Sequence, residues 1–596
     1  MKEELQTGSI INEYEKLLRE LKIDVATSEK ATNQIIRKAL QRFCKKHNNP
    51  AIWCLGKHTR MLMADFMNEM KNVKFIVDAS KSELKNSGFQ IITHDQIERY
   101  NIDGIIISSY IYREEIKKII SNHHKEIQYL DIYDELNNNG ITLKSSYFSA
   151  THPYSKYQVI NEMQIRFNNA ILMEEKIKYL RKTIEEYLVI KDFNSAIRYT
   201  KILTGFSEKD ENKKLLSRLE HLYQNEKELV SAIASDNVLM LCIDGLRRKD
   251  LLSGKLPKLL EWVKKNTYFF EQAYSLSTST YESLFPVYGS NCNMKDKFYE
   301  KRVLSEDECA FIKEACKQNR AIYFYTDSDQ YVDCKRIVRR GYSQTITEKL
   351  WDFICDASKE DKGLFYLHVL YESHYSYVNP YSEESLVADG SNIMFDFLDT
   401  KGAKLRTDYE KQQREALEYI DDMLIPFLEI FPGRVFLYAD HGNILMKENE
   451  TLQELERTKF SYHKDLIEIP MAIKCPELPK CCDKRLISLM ELNNIVCSLL
   501  KKETYRYIQP EYIKVQRSRI YNPDFQYIYS LFGREKELQA FELFIFGDGV
   551  QIAVYEDGAW EFITVEHDVQ INIKKRYECI KTNITVCDIA SIGDAW

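Results

Sequence analysis

No stretch of this chain approaches the ~18 consecutive apolar residues that a membrane-spanning helix needs. The opening MKEELQTGSIINEYEKLLREL is charged and reads as a helix, without the apolar centre of a secretory leader. There is no surplus of positive charge either. Lys and Arg number 83 against 90 Asp and Glu, a formal net charge of −7. That excludes a broad electrostatic footprint for nucleic acid. The 14 cysteines form no CxxC framework. Cys54, Cys242 and Cys475 sit in apolar runs as small hydrophobes, and the vicinal pair Cys481-Cys482 is poorly placed for an ordinary structural disulfide. Together these absences predict a cytoplasmic protein with no transmembrane segment.

What is present is ample apolar material. The 596 residues are 44% hydrophobic and 12% aromatic, enough for more than one packed core. The length corresponds to about three or four domains. Residues 1–48 carry helical periodicity. From 49 to 150, short apolar strands alternate with helices: AIWCLGK, KFIVDAS ending in Asp78, IDGIIISS, and IQYLDIYDEL as a last short strand. This alternation predicts a small parallel, Rossmann-like sheet. Of a glycine-rich phosphate fingerprint only Gly56 is there, so protein docking or carrier recognition is a plainer role than dinucleotide binding. His58 and Asp78 read as structural as readily as functional. Residues 151–235 are polar and helix-periodic, a helical connector. Residues 236–596 hold the remaining apolar strands. Within it, from about residue 515, FELFIFGDG, VQIAVYEDG, AWEFITVE and VQINIKK alternate between Asp-Gly turns and predict a small antiparallel sheet.

The chemistry-bearing residues stand at the ends of apolar strands. Residues 435–443 read VFLYADHGN, delivering Asp440 and His441 side by side. Residues 238–245 read VLMLCIDG and stop at Asp244. A hydroxyl-rich loop, Ser275-Leu276-Ser277-Thr278-Ser279-Thr280, precedes Tyr281 and Glu282. The run LFYLHVLYESH over 364–374 ends at His374, and His463-Lys464 lead into the apolar run 469–475. In an open α/β sheet such strand ends converge on one edge, where ligands bind. Carboxylate and imidazole in that combination suit Zn or Mn. His368, inside its strand, reads as a core histidine. Glu372 reads equally as a ligand or a loop acid. Arg247 and Arg248 read as surface residues at a helix start. Thr278 and Ser279 compete with Thr280 as the reactive hydroxyl.

Taken in order along the chain, these segments resemble the alkaline phosphatase/sulfatase superfamily over roughly residues 236–596. Within it the resemblance is closest to phosphoethanolamine transferases and lipoteichoic acid synthases. Thr278-Ser279-Thr280-x-x-Ser283-Leu284 is similar to their nucleophile loop and implies Thr280 as nucleophile. The family's ligands to one metal then fall on Asp244, Thr280, Asp440 and His441. Its remaining histidines, a second metal site or phosphate clamp, fall on His374 and His463. The implied fold is a central mostly parallel sheet flanked by helices, with the small antiparallel sheet closing it. Departures are visible. Gly245 follows Asp244 where sulfatases carry paired aspartates, and no Cys/Ser-x-Pro-x-Arg signature is present. Asn443 stands where many relatives have an acid. The periplasmic transferases carry a membrane anchor and disulfides, and neither is evident here.

The resemblance implies a transferase that moves a phospho-alcohol group, of the phosphoethanolamine or phosphoglycerol type, to a glycan or glycolipid acceptor. The route is a phospho-threonine at Thr280, and one or two Zn or Mn ions are the implied cofactor. A metal beside a hydroxyl lowers its pKa. The cation, His374, His463 and Lys464 would offset charge on the equatorial phosphoryl oxygens. Tyr281, with Tyr371 and Tyr375, offers a stacking face for sugar. A phosphodiesterase or phosphatase shares the first half-reaction and is the enzymatic alternative, ahead of a sulfatase. A non-catalytic scaffold is the alternative from another class. With no anchor, the donor is either nucleotide-linked or met at the inner membrane surface.

Overall fold

The computed structural model describes residues 2–23, 29–55, 57–78, 89–141, 143, 146–147, 153–289, 303–326, 331–340, 343–374, 377–382, 409–443, 463–519, 538–563 and 573–584. Gly56 and Tyr375 lie outside the described residues. The chain divides into two compact units, Glu15–Val159, and Met1–Tyr14 with Ile160–Trp596.

In the smaller unit, β1 (Pro50–Trp53), β2 (Phe75–Val77), β3 (Gln90–Ile92), β4 (Gly104–Ile107) and β5 (Gln128–Asp131) form a sheet in the order β3-β2-β1-β4-β5. Every pairing is parallel. The strand repeat of two sends successive residues to opposite faces. Ile52, Ile106 and Leu130 pack with Leu40 and Leu62, so the helix Glu29–Lys46 belongs to this core. Ala51, Ile105 and Ile107 pack on the other side with Ile116 and Ile120. The segment IQYLDIYDEL is a strand only as far as Asp131, whose carboxylate accepts from Tyr133 N at 2.9 Å and starts the helix Ile132–Asn138. At this sheet's edge His58 lies between Ser108 Oγ at 2.9 Å and Tyr133 OH at 2.6 Å. Asp78 accepts from Leu55 N at 2.7 Å.

The helix Pro153–Asn169 spans the boundary at Ile160, and in the larger unit helices Met173–Val189, Phe193–Phe206 and Asp210–Ala232 lead into β6 (Val238–Ile243). There follow β7 (Tyr268–Tyr274), β8 (Leu304–Ser305), β9 (Ala321–Tyr325), β10 (Val332–Asp333), β11 (Ile337–Arg340), β12 (Gly363–Val369), β13 (Arg434–Tyr438), β14 (Glu468–Lys474) and β15 (Cys481–Ser488). Among the described residues one eight-stranded sheet has the order β11-β9-β12-β6-β13-β14-β7-β15. Its pairings are parallel except those of β14 with β13 and β7. Every residue of β6, β12 and β13 is buried. Helix-covered parallel strands are buried on both faces, hence their unbroken apolar character. This is the mostly parallel α/β class expected from the sequence.

The registers bring the relevant strand ends to one edge. Ile243 pairs with Val369, and Tyr438 with Cys242. Because β14 runs the other way, its first residue Glu468 pairs with Tyr274 at the end of β7. The apolar run expected over 364–374 leaves the sheet at Val369. Beyond it the chain turns, with His374 N donating to Leu370 O at 2.9 Å and Ser373 Oγ to Val369 O at 3.0 Å.

The small antiparallel sheet runs β16 (Tyr512–Arg517), β17 (Phe541–Phe546), β18 (Gln551–Tyr555) and β19 (Trp560–Ile563) in chain order. Of the strand expected at VQINIKK, only residues 573–575 are described, and they begin a helix. Residues 569–572 lie outside the described residues, and Ile573–Ile580 is a helix. Tyr577, Ile580 and Ile584 meet one apolar cluster at helical, not strand, spacing.

Candidate active site

Two glycine contacts fix the acids. Gly245 has φ +62, and a Cβ there would lie 2.0 Å from Asn443 Nδ2. Only glycine admits this approach without strain. Its N–H donates to Asp440 Oδ1 at 3.1 Å, an oxygen that also accepts from His441 N at 2.9 Å. A Cβ on Gly442 would lie 2.0 Å from Asp465 O, so the segment preceding β14 rests directly on the Asp-His-Gly turn. Gly442 N accordingly donates to Leu466 O at 2.8 Å.

The hydroxyl loop leaves β7 and enters the helix Thr280–Tyr288. Its hydroxyls brace it: Ser275 Oγ donates to Ser277 O at 2.6 Å, and Ser277 N to Ser283 Oγ at 3.2 Å. Buried Glu282 accepts from Ser277 Oγ at 2.9 Å and Ser518 N at 3.2 Å. Gln516 N in β16 donates to Leu276 O at 2.7 Å. The small sheet thus clamps the loop as well as completing the core. Thr280, at the first turn of its helix, points its hydroxyl at the acids. Oγ1 donates to Asp244 Oδ2 at 3.1 Å and stands 3.3 Å from His441 Nε2. The positive end of the helix dipole favours developing negative charge there.

His441 Nδ1 lies 2.7 Å from Gly442 O. A carbonyl only accepts, so Nδ1 carries the proton and Nε2 turns its lone pair toward Thr280. Nε2 is 3.4 Å from Asp440 Oδ2. Burial opposes charge on this imidazole, but the carboxylates of Asp440 and Asp244 outweigh it and raise its pKa.

His368 is the residue that sequence reasoning assigned to the core and the structure moves into the site. It is fully buried, and its Nε2 lies 3.3 Å from Asp244 Oδ2. Ligand atoms of Asp244, His368 and Asp440 all fall within 4.8 Å of one another. The signal available in the sequence was a lone imidazole in a strand otherwise apolar. What the sequence did not contain was the pairing of β12 with β6, which sets His368 opposite Cys242, two residues before Asp244.

The two acids differ. Burial works to raise Asp244, but His368, His374 and His441 together hold it well below the usual carboxylate range. Asp440 is raised, by burial first and by the charge of Asp244 second. Two buried carboxylates this close do not both ionise easily without a cation. Asp244 Oδ1 and Asp440 Oδ2 are buried with no hydrogen-bond partner among the described residues. No Lys or Arg pairs with either acid among the described residues. Two orphaned carboxylate oxygens, an imidazole lone pair and a hydroxyl fit a divalent cation of the Zn or Mn type.

The other sequence candidates separate. His374 is half-buried and close enough to Asp244 to lower its pKa. His463 caps the short helix Lys464–Ile467, its Nδ1 accepting from Asp465 N at 3.1 Å. Burial lowers its pKa first, Lys249, Lys464 and Arg247 add to this, and Asp465 opposes it. Lys464 is exposed. Tyr281 stacks on Phe285 at 5.3 Å and meets Tyr331 edge-on at 5.5 Å. Tyr371 is buried with Lys349 Nζ 5.5 Å from its ring, so it is no exposed stacking face. Glu372 is a structural acid: buried, it accepts from Ile346 N at 2.8 Å and anchors the helix Ile346–Ala357. Arg247 is not at the surface. It is 2% exposed, bound twice to Asp250 at 2.6 Å and to Asp465 at 3.1 Å. Arg248 is half-buried and binds Glu468 at 2.6 Å.

The matching solved structures are members of the alkaline phosphatase superfamily. A phosphonate monoester hydrolase from Silicibacter pomeroyi is similar at 11% identity, over 60% of this chain and 97% of that one, with TM-score 0.39. An alkaline phosphatase superfamily protein from Vibrio parahaemolyticus is similar at 14% identity, over 58% of this chain and 91% of that one, with TM-score 0.36. The C-terminal periplasmic domain of EptC from Escherichia coli, in complex with Zn, is similar at 14% identity, over 45% of this chain and 83% of that one, with TM-score 0.31. In the smaller unit, residues 46–128 match the family model "C2185-like, N-terminal". No curated protein matches the chain. Among the described residues no helix is long and apolar enough to cross a membrane.

Proposed function

We propose that the larger unit is a metal-dependent phosphotransferase. In this reading it moves a phospho-alcohol group, of the phosphoethanolamine or phosphoglycerol type, to a glycan or glycolipid hydroxyl. One observation carries it: the Thr280 hydroxyl lies 3.1 Å from Asp244 and 3.3 Å from His441, at a helix N-terminus, beside carboxylate oxygens that lack hydrogen-bond partners among the described residues. Asp244, Asp440, His441 and His368 would hold a Zn or Mn ion, with Thr280 at its rim. When bound, that ion supplies a lowered hydroxyl pKa and offsets phosphoryl charge.

The residues then divide the work. Thr280 Oγ1 attacks phosphorus and the ester bond to the donor's leaving oxygen breaks, leaving a phospho-threonine. The hydroxyl proton has two acceptors within reach, Asp244 Oδ2 and His441 Nε2. An acceptor hydroxyl attacks next and frees Thr280. In this reading His374, whose charge reaches Asp244, would meet the transferred group, and His463 and Lys464 would meet the rest of the donor. Asp250 and Asp465 engage Arg247, so it holds the β14 entry in place and leaves phosphate to the histidines.

The test is product analysis. Purified protein with added Zn or Mn is given a phosphodiester donor, with and without a glycan acceptor, and the quenched protein is mapped by mass spectrometry. The reading expects phosphate-ester adduct on Thr280 and acceptor-dependent product. Release to water alone, unchanged by any acceptor, would establish a hydrolase instead.

A further inference from the structure

Beside the two-stranded β8–β10 ladder stands a second donor set. We propose that Cys316, Cys334 and Glu306 form a binding site for a thiophilic divalent cation of the zinc class. One ligand atom from each, two Sγ and one carboxylate oxygen, lies within 4.8 Å of both others. Cys334 Sγ donates to Glu306 Oε2 at 3.1 Å.

The three donors come from three elements that the backbone holds together. Glu306 opens the 3-10 turn Glu306–Glu308, closed by Ser305 N donating to Glu308 Oε2 at 2.9 Å. Cys316 is in the last turn of the helix Ala310–Lys317. Cys334 begins the turn between β10 and β11, with Ile337 N donating back to its carbonyl at 3.1 Å. The β8–β10 ladder pairs Val332 with Leu304 and Asp333 with Ser305, which sets the Glu306 and Cys334 turns side by side. Arg336 Nη1 donates to Cys316 O at 2.9 Å and ties the third element to the second turn. The backbone therefore positions the donors before any ligand arrives.

The donor chemistry selects the ion. Two thiolates and one carboxylate suit Zn and disfavour Mg and Ca, which prefer oxygen alone. Without a cation the thiols stay protonated. Burial, Glu306 and Cys334 push Cys316 up to about 12, and burial with Glu306 raises Cys334 against the opposing Arg336 backbone and Cys316. On binding, both S–H bonds break and two protons go to solvent. Two metal–sulfur bonds and one metal–oxygen bond form, and water completes the tetrahedron. Neither metal nor protein changes oxidation state. The consequence reaches the larger site through Tyr331. It immediately precedes β10 and packs edge-on against Tyr281 and Phe285, at 5.5 and 6.1 Å, on the helix that begins with Thr280. A bound ion would brace the surface on which that helix rests.

The test uses the full chain, reduced, stripped with a chelator and titrated with Co(II). Thiolate-to-cobalt charge transfer gives a near-ultraviolet band that the sulfur-free Asp244 centre cannot produce. The proposal expects this band in the unaltered protein and in Asp244→Asn, its bleaching by Zn but not by Mg, and its loss in Cys316→Ser/Cys334→Ser. If the double variant misfolds, alkylation of the unaltered protein decides. Zn should slow iodoacetamide modification of Cys316 roughly tenfold or more, because a ligated thiolate is no longer a free nucleophile. Absence of the band, its survival in the double variant, or alkylation of Cys316 indifferent to Zn would each overturn the site.

Discussion

Thr280 Oγ1 donates a hydrogen bond to Asp244 Oδ2 at 3.1 Å, across two different strand ends and 36 residues of chain. Neither residue is remarkable alone. Their meeting depends on β7 and β6 delivering their ends to one edge of the sheet, with β16 clamping the loop between β7 and Thr280.

Removing that hydroxyl should remove the reaction and leave the fold. Thr280→Ala is expected to lower turnover of a phosphodiester roughly a thousandfold or more. Circular dichroism and thermal unfolding should be unchanged, since Thr280 is only half-buried. Thr280→Ser should keep part of the activity. Near-normal turnover by the alanine protein would exclude attack by this residue and turn attention to Ser279, whose Oγ is buried without a partner among the described residues.

His368 should behave as part of the metal site. His368→Gln keeps a polar side chain of similar reach but loses the imidazole nitrogen at 3.3 Å from Asp244. Metal affinity, read by calorimetric titration of the chelator-stripped protein, is expected to fall by roughly 10- to 100-fold. Unchanged affinity would return His368 to a packing role.

Arg247 should matter for stability. With its side chain 3% exposed and three acidic contacts, Arg247→Ala strands Asp250 and Asp465 in a buried setting. Loss of one partner from such a network costs about 3–5 kcal/mol. Chemical denaturation followed by tryptophan fluorescence measures it. A loss under about 1 kcal/mol would mean that Lys249 and Lys255 suffice to hold these acids.

His58 should make the smaller unit acid-sensitive. Burial lowers its pKa from 6.5 to about 4, so the folded imidazole stays neutral where the unfolded one takes up a proton. Stability is therefore full above pH 6.5 and falls as the pH drops toward 4. The difference amounts to about 3 kcal/mol. Amide hydrogen exchange in β1 and β4 of the full chain reads it locally. His58→Gln should flatten the dependence over that window. A slope that persists in the variant would assign it to other groups.

Much of the site could be read from residue order. Apolar runs that end abruptly in Asp244 and in Asp440-His441-Gly442 identify themselves, because a buried strand has no need of acids unless its end is used. Other readings failed for local reasons. The run ending at His374 looked like one long strand, yet Glu372 is required to anchor a helix and the chain turns at Leu370. The alternation of VQINIKK does not carry past Ile573, where the helix Ile573–Ile580 begins and sets Tyr577 and Ile580 on one apolar cluster.

By itself the sequence determined which segments are buried strands, which end in acid or imidazole, and that the fold is α/β, since these follow from local periodicity and composition. Only the tertiary structure decided which strands are neighbours and in what register. Those are long-range choices made by side-chain packing between distant segments. They are the reason that a histidine inside β12 stands against Asp244, while His463 and Arg247 are drawn instead to Asp465.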